Sequence, residues 1–481
     1  MKRLTKILAT IGPSCESEEQ IEKMIKAGVN VFRFNFKHNS VEWHDGMIER
    51  VNKVAKKMNT LVGILIDLQG PEIRIQLPVE EMTLSIGEKI LLDESTLKNA
   101  NLKGFSITHP EIIDHIKDGQ RIVADDGEFE FEAKKEKNKL YLVSKSEGVL
   151  KQRKTLNIPG AEFPFPVLIK RDFEGIELAK RREIDFVALS FVRTAEDINV
   201  LRKELKKNKV NTQIVSKIET EKALNDLDEI VKVSDGLMVA RGDLGVELPF
   251  EQVPYYQKLI ITKCIQQGKF VITATQMLQS MIQSPLPTRA EVSDVANATY
   301  DMSDVVMLSG ESASGKYPLR AVNVMRKTLE FNESKFMKET RDRFHYQLES
   351  NTGMISLAAY DLYLDSLLKS EEDHVKAFVC FTQSGNTARF ISAFRPSVPI
   401  LALCPDKKTA ESLSLNYGVY PQIRGKNYEK HKQVTHNHVL AGLDYLKEKK
   451  LLSKGDSVII THGDYWAIEG GTSTIKLVKV V

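Results

Sequence analysis

The chain has 481 residues, 42% hydrophobic and 28% charged, with a formal net charge of +3. That is the make-up of a soluble globular enzyme of about two to four domains, and so small a net charge excludes a general attraction to nucleic acid or to an anionic membrane surface. Cys15, Cys264, Cys380 and Cys404 stand far apart without CxxC spacing, which argues against structural zinc and a disulfide framework and fits a reducing cytoplasm. The opening MKRLTKILATIGPS makes a poor signal peptide, its short apolar run being broken at Gly12 and Pro13. No stretch approaches the roughly 18 apolar residues of a membrane span.

In chain order, eight apolar runs recur, each closed by polar residues: KILATIGPS (6–14), VNVFRFNFKH (29–38), LVGILIDLQGPEIR (61–74), IDFVALSFVR (184–193), TQIVSKIE (212–219), DGLMVARGD (235–243), KFVITATQM (269–277) and DVVMLSGES (304–312). They read as strands. Helical periodicity fills residues 17–27, 40–58, 172–182, 195–207, 220–233, 255–267 and 288–301. Eight strand–helix units predict an α/β fold, a closed (β/α)8 TIM barrel, with an open doubly wound sheet as the structural alternative.

Strands three and four are separated by a long insert, 72–165, of short alternating runs such as GQRIVADDGEFEFEA and KLYLVSKSEG. It reads as a small β-rich, barrel-like lid domain over the catalytic edge of the barrel. The barrel domain is thus expected from 1–71 and 166–340. From 341 to 481 the pattern restarts: a helix near 352–369, the strands and turn of VKAFVCFTQSGNTARFI, VPILALC and VYPQI, a long helix near 430–448, then SVIITHG and STIKLVKV. This predicts a separate C-terminal α/β domain.

The most telling stretch runs from Lys217 to Asp243. Two apolar segments end in charge, Lys217 and Glu219 on the first, Arg241 and Asp243 on the second. Parallel strands deliver both sets to the same C-terminal edge, where such barrels build active sites. Two carboxylates beside a lysine and an arginine suggest a divalent metal and a phosphorylated anion. The alternative is two unrelated surface ion pairs. Arg33 and Asn35, two apart on strand two, point the same way. Gly242 lacks a side chain, so backbone amides of its turn can approach an anion.

Taken together, ATIGPS, FRFNFKH, DLQGPEIR, DDG, RKTLNIPG, SFVR, SKIE, ARGDLGVE, ATQMLQSM, PTRAEVSDVANA and MLSGESASGKYP, with TQSGNTAR and GTSTIKL near the end, resemble the pyruvate kinase family in identity and order across nearly the whole chain. The resemblance implies a homotetramer that transfers the phosphoryl group of phosphoenolpyruvate to ADP, giving ATP and pyruvate, the last step of glycolysis. It assigns Mg2+ (or Mn2+) to Glu219 and Asp243. Lys217 stabilises the phosphoryl group in flight and the enolate. Arg33 binds the phosphoryl group. Gly242 and Asp243 lie at the substrate carboxylate, with Thr275 near it and near the carbon to be protonated. Ser309 and Glu311 match a proton relay. Asn35, His38, Arg74 and Lys154 face the nucleotide.

The family's potassium site uses an asparagine, a serine, an aspartate and the next carbonyl, here Asn35, Lys37, Asp67 and Leu68. Lysine thus stands at the serine position. Leu68 and Gln69 stand where potassium-requiring members usually have Thr-Lys, yet Glu72 is retained where potassium-independent members usually have lysine. The sequence mixes both patterns, so the need for K+ is open. The expectation is that the Lys37 ammonium occupies or abuts the monovalent site and pairs with Asp67 or Glu72. The plain alternative is a solvated lysine with K+ bound.

In the C-terminal domain Thr382, Gln383, Ser384, Gly385, Asn386 and Thr387 lie between a strand and a helix, where hydroxyls and loop amides make a phosphate nest; the resemblance implies that this loop holds the phosphate of an effector, a sugar phosphate or a nucleotide. Simple capping of the helix by Ser384 or Thr387 is the alternative. Two other functional classes compete: a metal-dependent barrel lyase or aldolase acting on phosphoenolpyruvate or pyruvate, and a non-catalytic scaffold. The second predicts loss of Lys217, Glu219, Asp243, Arg33 and Thr275, all of which are present.

Overall fold

The computed structural model describes residues 3–99, 102–137, 139–161, 163–335, 346, 350–424, 433–466 and 469–481. Eight parallel strands close into a barrel: β1 Lys6–Thr10, β2 Val31–Asn35, β3 Gly63–Asp67, β4 Phe186–Leu189, β5 Gln213–Ile218, β6 Gly236–Ala240, β7 Phe270–Ala274 and β8 Val305–Leu308. Neighbours in sequence pair throughout, and β8 returns to β1. The open-sheet alternative is therefore excluded.

Each barrel strand is buried on both faces, and alternation decides which side chain goes where. Leu8, Val31, Leu65, Val215, Met238 and Met307 belong to the apolar plug inside the barrel. Ile7, Phe32, Ile64, Ile214 and Val239 face outward into the larger core shared with the helices. Two residues further along five of these strands, the inward positions become polar: Thr10 after Leu8, Arg33 after Val31, Asp67 after Leu65, Lys217 after Val215 and Ser309 after Met307. A charged layer thus rests directly on an apolar one at the C-terminal mouth.

Local signals set the helix ends. Ser17 and Ser40 accept hydrogen bonds from the amides of Gln20 and Trp43 and start the helices Glu18–Ala27 and Val41–Lys57. Thr288 and Glu291 form a reciprocal capping box that opens Arg289–Tyr300. One expectation fails: the single helix over 220–233 is two, Glu221–Asn225 and Leu227–Val233. The break is at Asp226, whose carboxylate accepts the Ala195 amide at 2.8 Å instead of continuing the helix.

Between β3 and β4 lies an all-β region, a seven-stranded sheet and a two-stranded sheet, with its own core around Phe105, Phe129, Phe131 and Leu142. The C-terminal region is a five-stranded sheet, with only its last strand, Thr472–Lys479, antiparallel. It packs apolar clusters on both faces. The helix expected near 430–448 begins at His436. Residues 430–432 lie outside the described residues, and Gln433 pairs instead with Tyr465 as an isolated β-bridge. All four cysteines are free and buried. Among the described residues no helix is long and apolar enough to cross a membrane.

Candidate active site at the barrel mouth

Asp67, fully buried at the end of β3, is the hub. Its Oδ2 accepts Arg33 Nε at 2.7 Å and lies 2.6 Å from the arginine's second terminal nitrogen. Its Oδ1 lies 3.4 Å from Lys217 Nζ. Arg33 also donates to Thr10 Oγ1 at 3.0 Å. Lys217 Nζ lies 2.7 Å from Glu219 Oε1 and donates to Ser190 Oγ at 2.8 Å. Burial pushes the Asp67 carboxyl up, but Lys217 and Arg33 outweigh it and hold the group below the ordinary aspartate range. Burial alone would lower Lys217; Asp67, Glu219 and Asp243 instead raise it above an ordinary lysine, so it stays charged. Full positive charge is therefore fixed where no water competes, the condition under which it stabilises a developing anion most.

The two acids assigned to a metal follow neighbouring strands. Glu219 follows β5, and its Oε2 accepts the Phe191 amide at 2.7 Å. Its Oε1 is buried with no hydrogen-bond donor beyond the Lys217 ion contact. Burial, with Lys217 opposing and Asp243 adding to it, pushes this carboxyl up. Asp243 sits in the short helix Arg241–Glu247 after β6 and lines a cavity of about 360 Å3 with Glu72, Phe163, Phe165, Phe191 and Glu247. That cavity separates the β-rich region from the barrel. Burial pushes Glu247 up to about 7. An underused buried carboxylate oxygen, a second acid whose charge acts on it and open space beside that second acid suit a hard divalent cation.

Arg241, expected among the site cations, is turned away. It donates to the carbonyls of Ala274 and Thr275 at 3.2 and 2.6 Å and pairs with Asp294 at 2.7 Å. It braces β7 rather than meeting an anion. Thr275, at φ +66°, accepts the Gly242 amide at 2.7 Å and donates to the Ala274 carbonyl. Glu311 is fully buried, its two oxygens accepting the Leu278 and Ser309 amides at 3.1 and 2.8 Å. The Ser309 hydroxyl is buried without a partner.

On the rim, Lys37 pairs with Glu72 and not with Asp67, which Arg33 and Lys217 already occupy. The Lys37 ammonium also lies 5.3 Å from the Phe191 ring centroid and is only 15% exposed. Arg74 shares the same acid, its guanidinium 2.6 Å from Glu72 Oε2, and reaches the Arg153 carbonyl. His38 is half-buried; burial first, then Arg74, Lys37 and Arg33, lowers its pKa. Asn35 Oδ1 accepts the Lys37 amide at 3.2 Å. The Leu68 carbonyl accepts Ser190 Oγ at 2.7 Å. Lys154 stays within the β-rich region, paired with Asp125 at 2.7 Å.

Ser190 and Phe191 were not singled out from the sequence beyond the SFVR motif. Ser190 continues the inward alternation from Ala188, which was legible. Phe191 takes φ +54°, which no sequence pattern announces for an aromatic residue. Gly70, at φ +69°, is required beside it, since a β-carbon there would stand 2.8 Å from the Phe191 ring.

The C-terminal loop has a different character. Thr382 Oγ1 accepts the Gly385 amide at 2.9 Å, and Gly385, at φ +90°, holds the N-cap of Asn386–Ala393 without a side-chain cap. Ser384 and Thr387 therefore do not cap the helix; Thr387 is hydrogen-bonded to Thr472 at 2.7 Å. Gln383 accepts from Arg424 at 3.1 Å, and that guanidinium lies 4.6 Å from the Trp466 ring centroid. Arg424, missed in the sequence, brings a cation to a narrow cleft that Glu469 also lines.

A parallel barrel with buried cations and acids interlocked at its mouth, beside an inserted β-rich region, has the make-up of a barrel enzyme acting on a phosphorylated anion. Comparison with known proteins narrows this further. The pyruvate kinase barrel domain matches residues 2–322 and the pyruvate kinase alpha/beta domain residues 367–478. Proteins named pyruvate kinase from Staphylococcus aureus strains MRSA252 and USA300 are each 40% identical over 484 residues, covering 99% of this chain and 80% of the relative. The chain belongs to the pyruvate kinase family. These matches lend no support to the barrel lyase or aldolase alternative.

Proposed function

We propose that the barrel mouth transfers the phosphoryl group of phosphoenolpyruvate to ADP. The bond from the enol oxygen to phosphorus breaks, an oxygen of the ADP terminal phosphate takes the phosphoryl group, and the enolate left behind is protonated at carbon to give pyruvate. The observation that carries this reading is the buried Arg33–Asp67–Lys217–Glu219 network. Such a transfer asks for alignment and fixed positive charge rather than covalent catalysis. Asp67 holds the Arg33 fork and the Lys217 ammonium in place before substrate arrives. The two cations then meet the phosphoryl oxygens, and Lys217 remains to stabilise the enolate.

Glu219 and Asp243 hold Mg2+ or Mn2+, which supplies Lewis-acid polarisation of substrate oxygens when bound. Gly242 and Thr275 orient the substrate carboxylate. The unpartnered Ser309 hydroxyl delivers the proton, and Glu311 fixes the loop that carries it. Asn35, His38, Arg74 and Lys154 face the nucleotide, Lys154 arriving from the lid, residues 72–165, when it closes. Lys37, pinned by Glu72 at the rim, supplies the monovalent charge that K+ would otherwise bring to this side of the mouth. A tethered ammonium gives up side-chain rotamers but not the translational freedom of a free ion, and it repels a free cation.

The loop 382–387 with Arg424 receives the phosphate of a sugar-phosphate or nucleotide effector. The working assembly is a homotetramer in the cytoplasm, built from the barrel domain 1–71 and 166–340, the lid and the C-terminal domain 341–481. A lactate-dehydrogenase-coupled assay tests the reaction: pyruvate should appear only with phosphoenolpyruvate, ADP and a divalent cation all present. Pyruvate formed without ADP would defeat this reading.

A further inference from the structure

The helix Lys170–Arg181 follows the inserted region, and its first turn wedges between two rim loops of the barrel. The fit is close on both sides. A β-carbon on Gly175 would stand 3.0 Å from Leu68 and 3.3 Å from Phe36. Two consecutive residues of opposite charge each grip one loop. Arg171 donates to the Phe36 carbonyl at 3.2 Å and to the Asn39 carbonyl at 2.6 Å, its guanidinium lying 5.1 Å from the Phe36 ring centroid. Asp172, fully buried, accepts the amides of Gln69 and Gly70 at 2.8 and 3.2 Å with one oxygen and the Ile169 amide at 2.9 Å with the other. The first loop carries Lys37 and His38. The second leads into Glu72. His44 adds a third hold, its Nε2 at 2.8 Å from the His38 carbonyl.

We propose that Arg171 and Asp172 are positioning residues that set the separation of these two loops, so that Lys37 meets Glu72 and the nucleotide-facing rim keeps its charge pattern. The proposal rests on the phosphoryl-transfer reading and on Lys37 as the built-in monovalent charge. Neither residue touches the buried network; each acts through backbone. A lysine side chain has four rotatable bonds, and only a fixed backbone keeps its ammonium on one acid. The planar guanidinium reaches two carbonyls three residues apart, which a point-charge ammonium at 171 cannot do. Asp172 performs the complementary task, gathering two amide donors of the other loop on one oxygen.

The test is kinetic and cation-dependent. Arg171→Met is expected to raise the KM for ADP by about tenfold, the scale of losing orientation at one edge of a site, with the KM for phosphoenolpyruvate little changed. It is also expected to make the enzyme responsive to added K+, because a displaced Lys37 leaves its place open. Arg171→Lys, which keeps the charge and loses the fork, should show a weaker form of both effects and serves if the methionine variant does not fold. Asp172→Asn should acquire the same K+ response. Binding of ADP alone by calorimetry gives a readout independent of turnover and should weaken in step. Unchanged ADP affinity and no K+ response in the folded variants overturn the proposal, as does a loss confined to kcat. Failure of the unmodified enzyme to make ATP would instead strike the phosphoryl-transfer reading.

Discussion

The barrel mouth and the C-terminal loop both gather polar groups at the C-terminal ends of parallel strands, yet they are built on opposite plans. At the mouth, Arg33, Asp67, Lys217 and Glu219 are buried and interlocked, each ion bound to at least one other. In the C-terminal loop the partners are hydroxyls, amides and two arginines: Arg424 reaches Gln383 and lies over a tryptophan ring, and Arg389 donates to the Ser384 carbonyl and to Asn386 Oδ1. Burying a network of full charges costs several kcal/mol per ion before attraction offsets it. That cost is reasonable where a migrating anion must be met by charge already in place. A loop that receives an effector, the role proposed above for residues 382–387, needs no such buried network of full charges.

Four experiments would break or sharpen this contrast. The largest effect is expected at the mouth. Lys217→Met should lower kcat by at least about a thousandfold, the scale of removing a principal charge stabiliser. It should also destabilise the fold, because Asp67 and Glu219 lose a buried partner. Stopped-flow turnover and thermal melting together measure both, and a variant with near-normal kcat would end the assignment.

Next, Lys37→Ser restores the family's hydroxyl at that position. Its activity without K+ should fall by about tenfold or more and recover on adding K+, whereas the unmodified enzyme should respond less than about twofold. A smaller shift belongs to His44, which burial lowers to about 4. A histidine that binds its proton less readily when folded loses stability as pH falls from 6.5 toward 4. The penalty approaches about 3 kcal/mol at the acid end. Thermal melts of the unmodified enzyme and of His44→Gln should therefore converge as pH falls through that window. A constant difference would remove His44 as the titrating group. Smallest of all, Arg424→Gln should shift the half-saturating concentration of an activating sugar phosphate by about tenfold, leaving the regulatory response weakened rather than abolished. If no phosphorylated sugar or nucleotide alters the kinetics at all, the loop is structural.

Much of the mouth was legible in the chain because strand alternation is strict. Val215 inside the barrel puts Lys217 inside, and Leu65 does the same for Asp67. Motif order then supplied the family. What alternation could not give was the choice among partners. The sequence left Lys37 to pair with Asp67 or Glu72; competition decided, since Arg33 and Lys217 already saturate Asp67. Arg241 looked like a site cation because it shares a motif with Asp243, but it sits where β6 gives way to a short helix, and there its side chain meets the Ala274 and Thr275 carbonyls. The helix over 220–233 kept its periodicity across Asp226, and only a tertiary contact to Ala195 reveals the break. Arg424 and the bracket at Arg171 and Asp172 depend on chain segments brought together by folding, which no local pattern encodes.

The most direct measurement follows phosphorus itself. With phosphoenolpyruvate, ADP and Mg2+ in a K+-free buffer, 31P NMR should show the phosphoenolpyruvate resonance vanish as the γ-phosphate of ATP appears, at a rate that added K+ changes by less than about twofold. Inorganic phosphate appearing in place of ATP, or no conversion until K+ is supplied, would contradict the account.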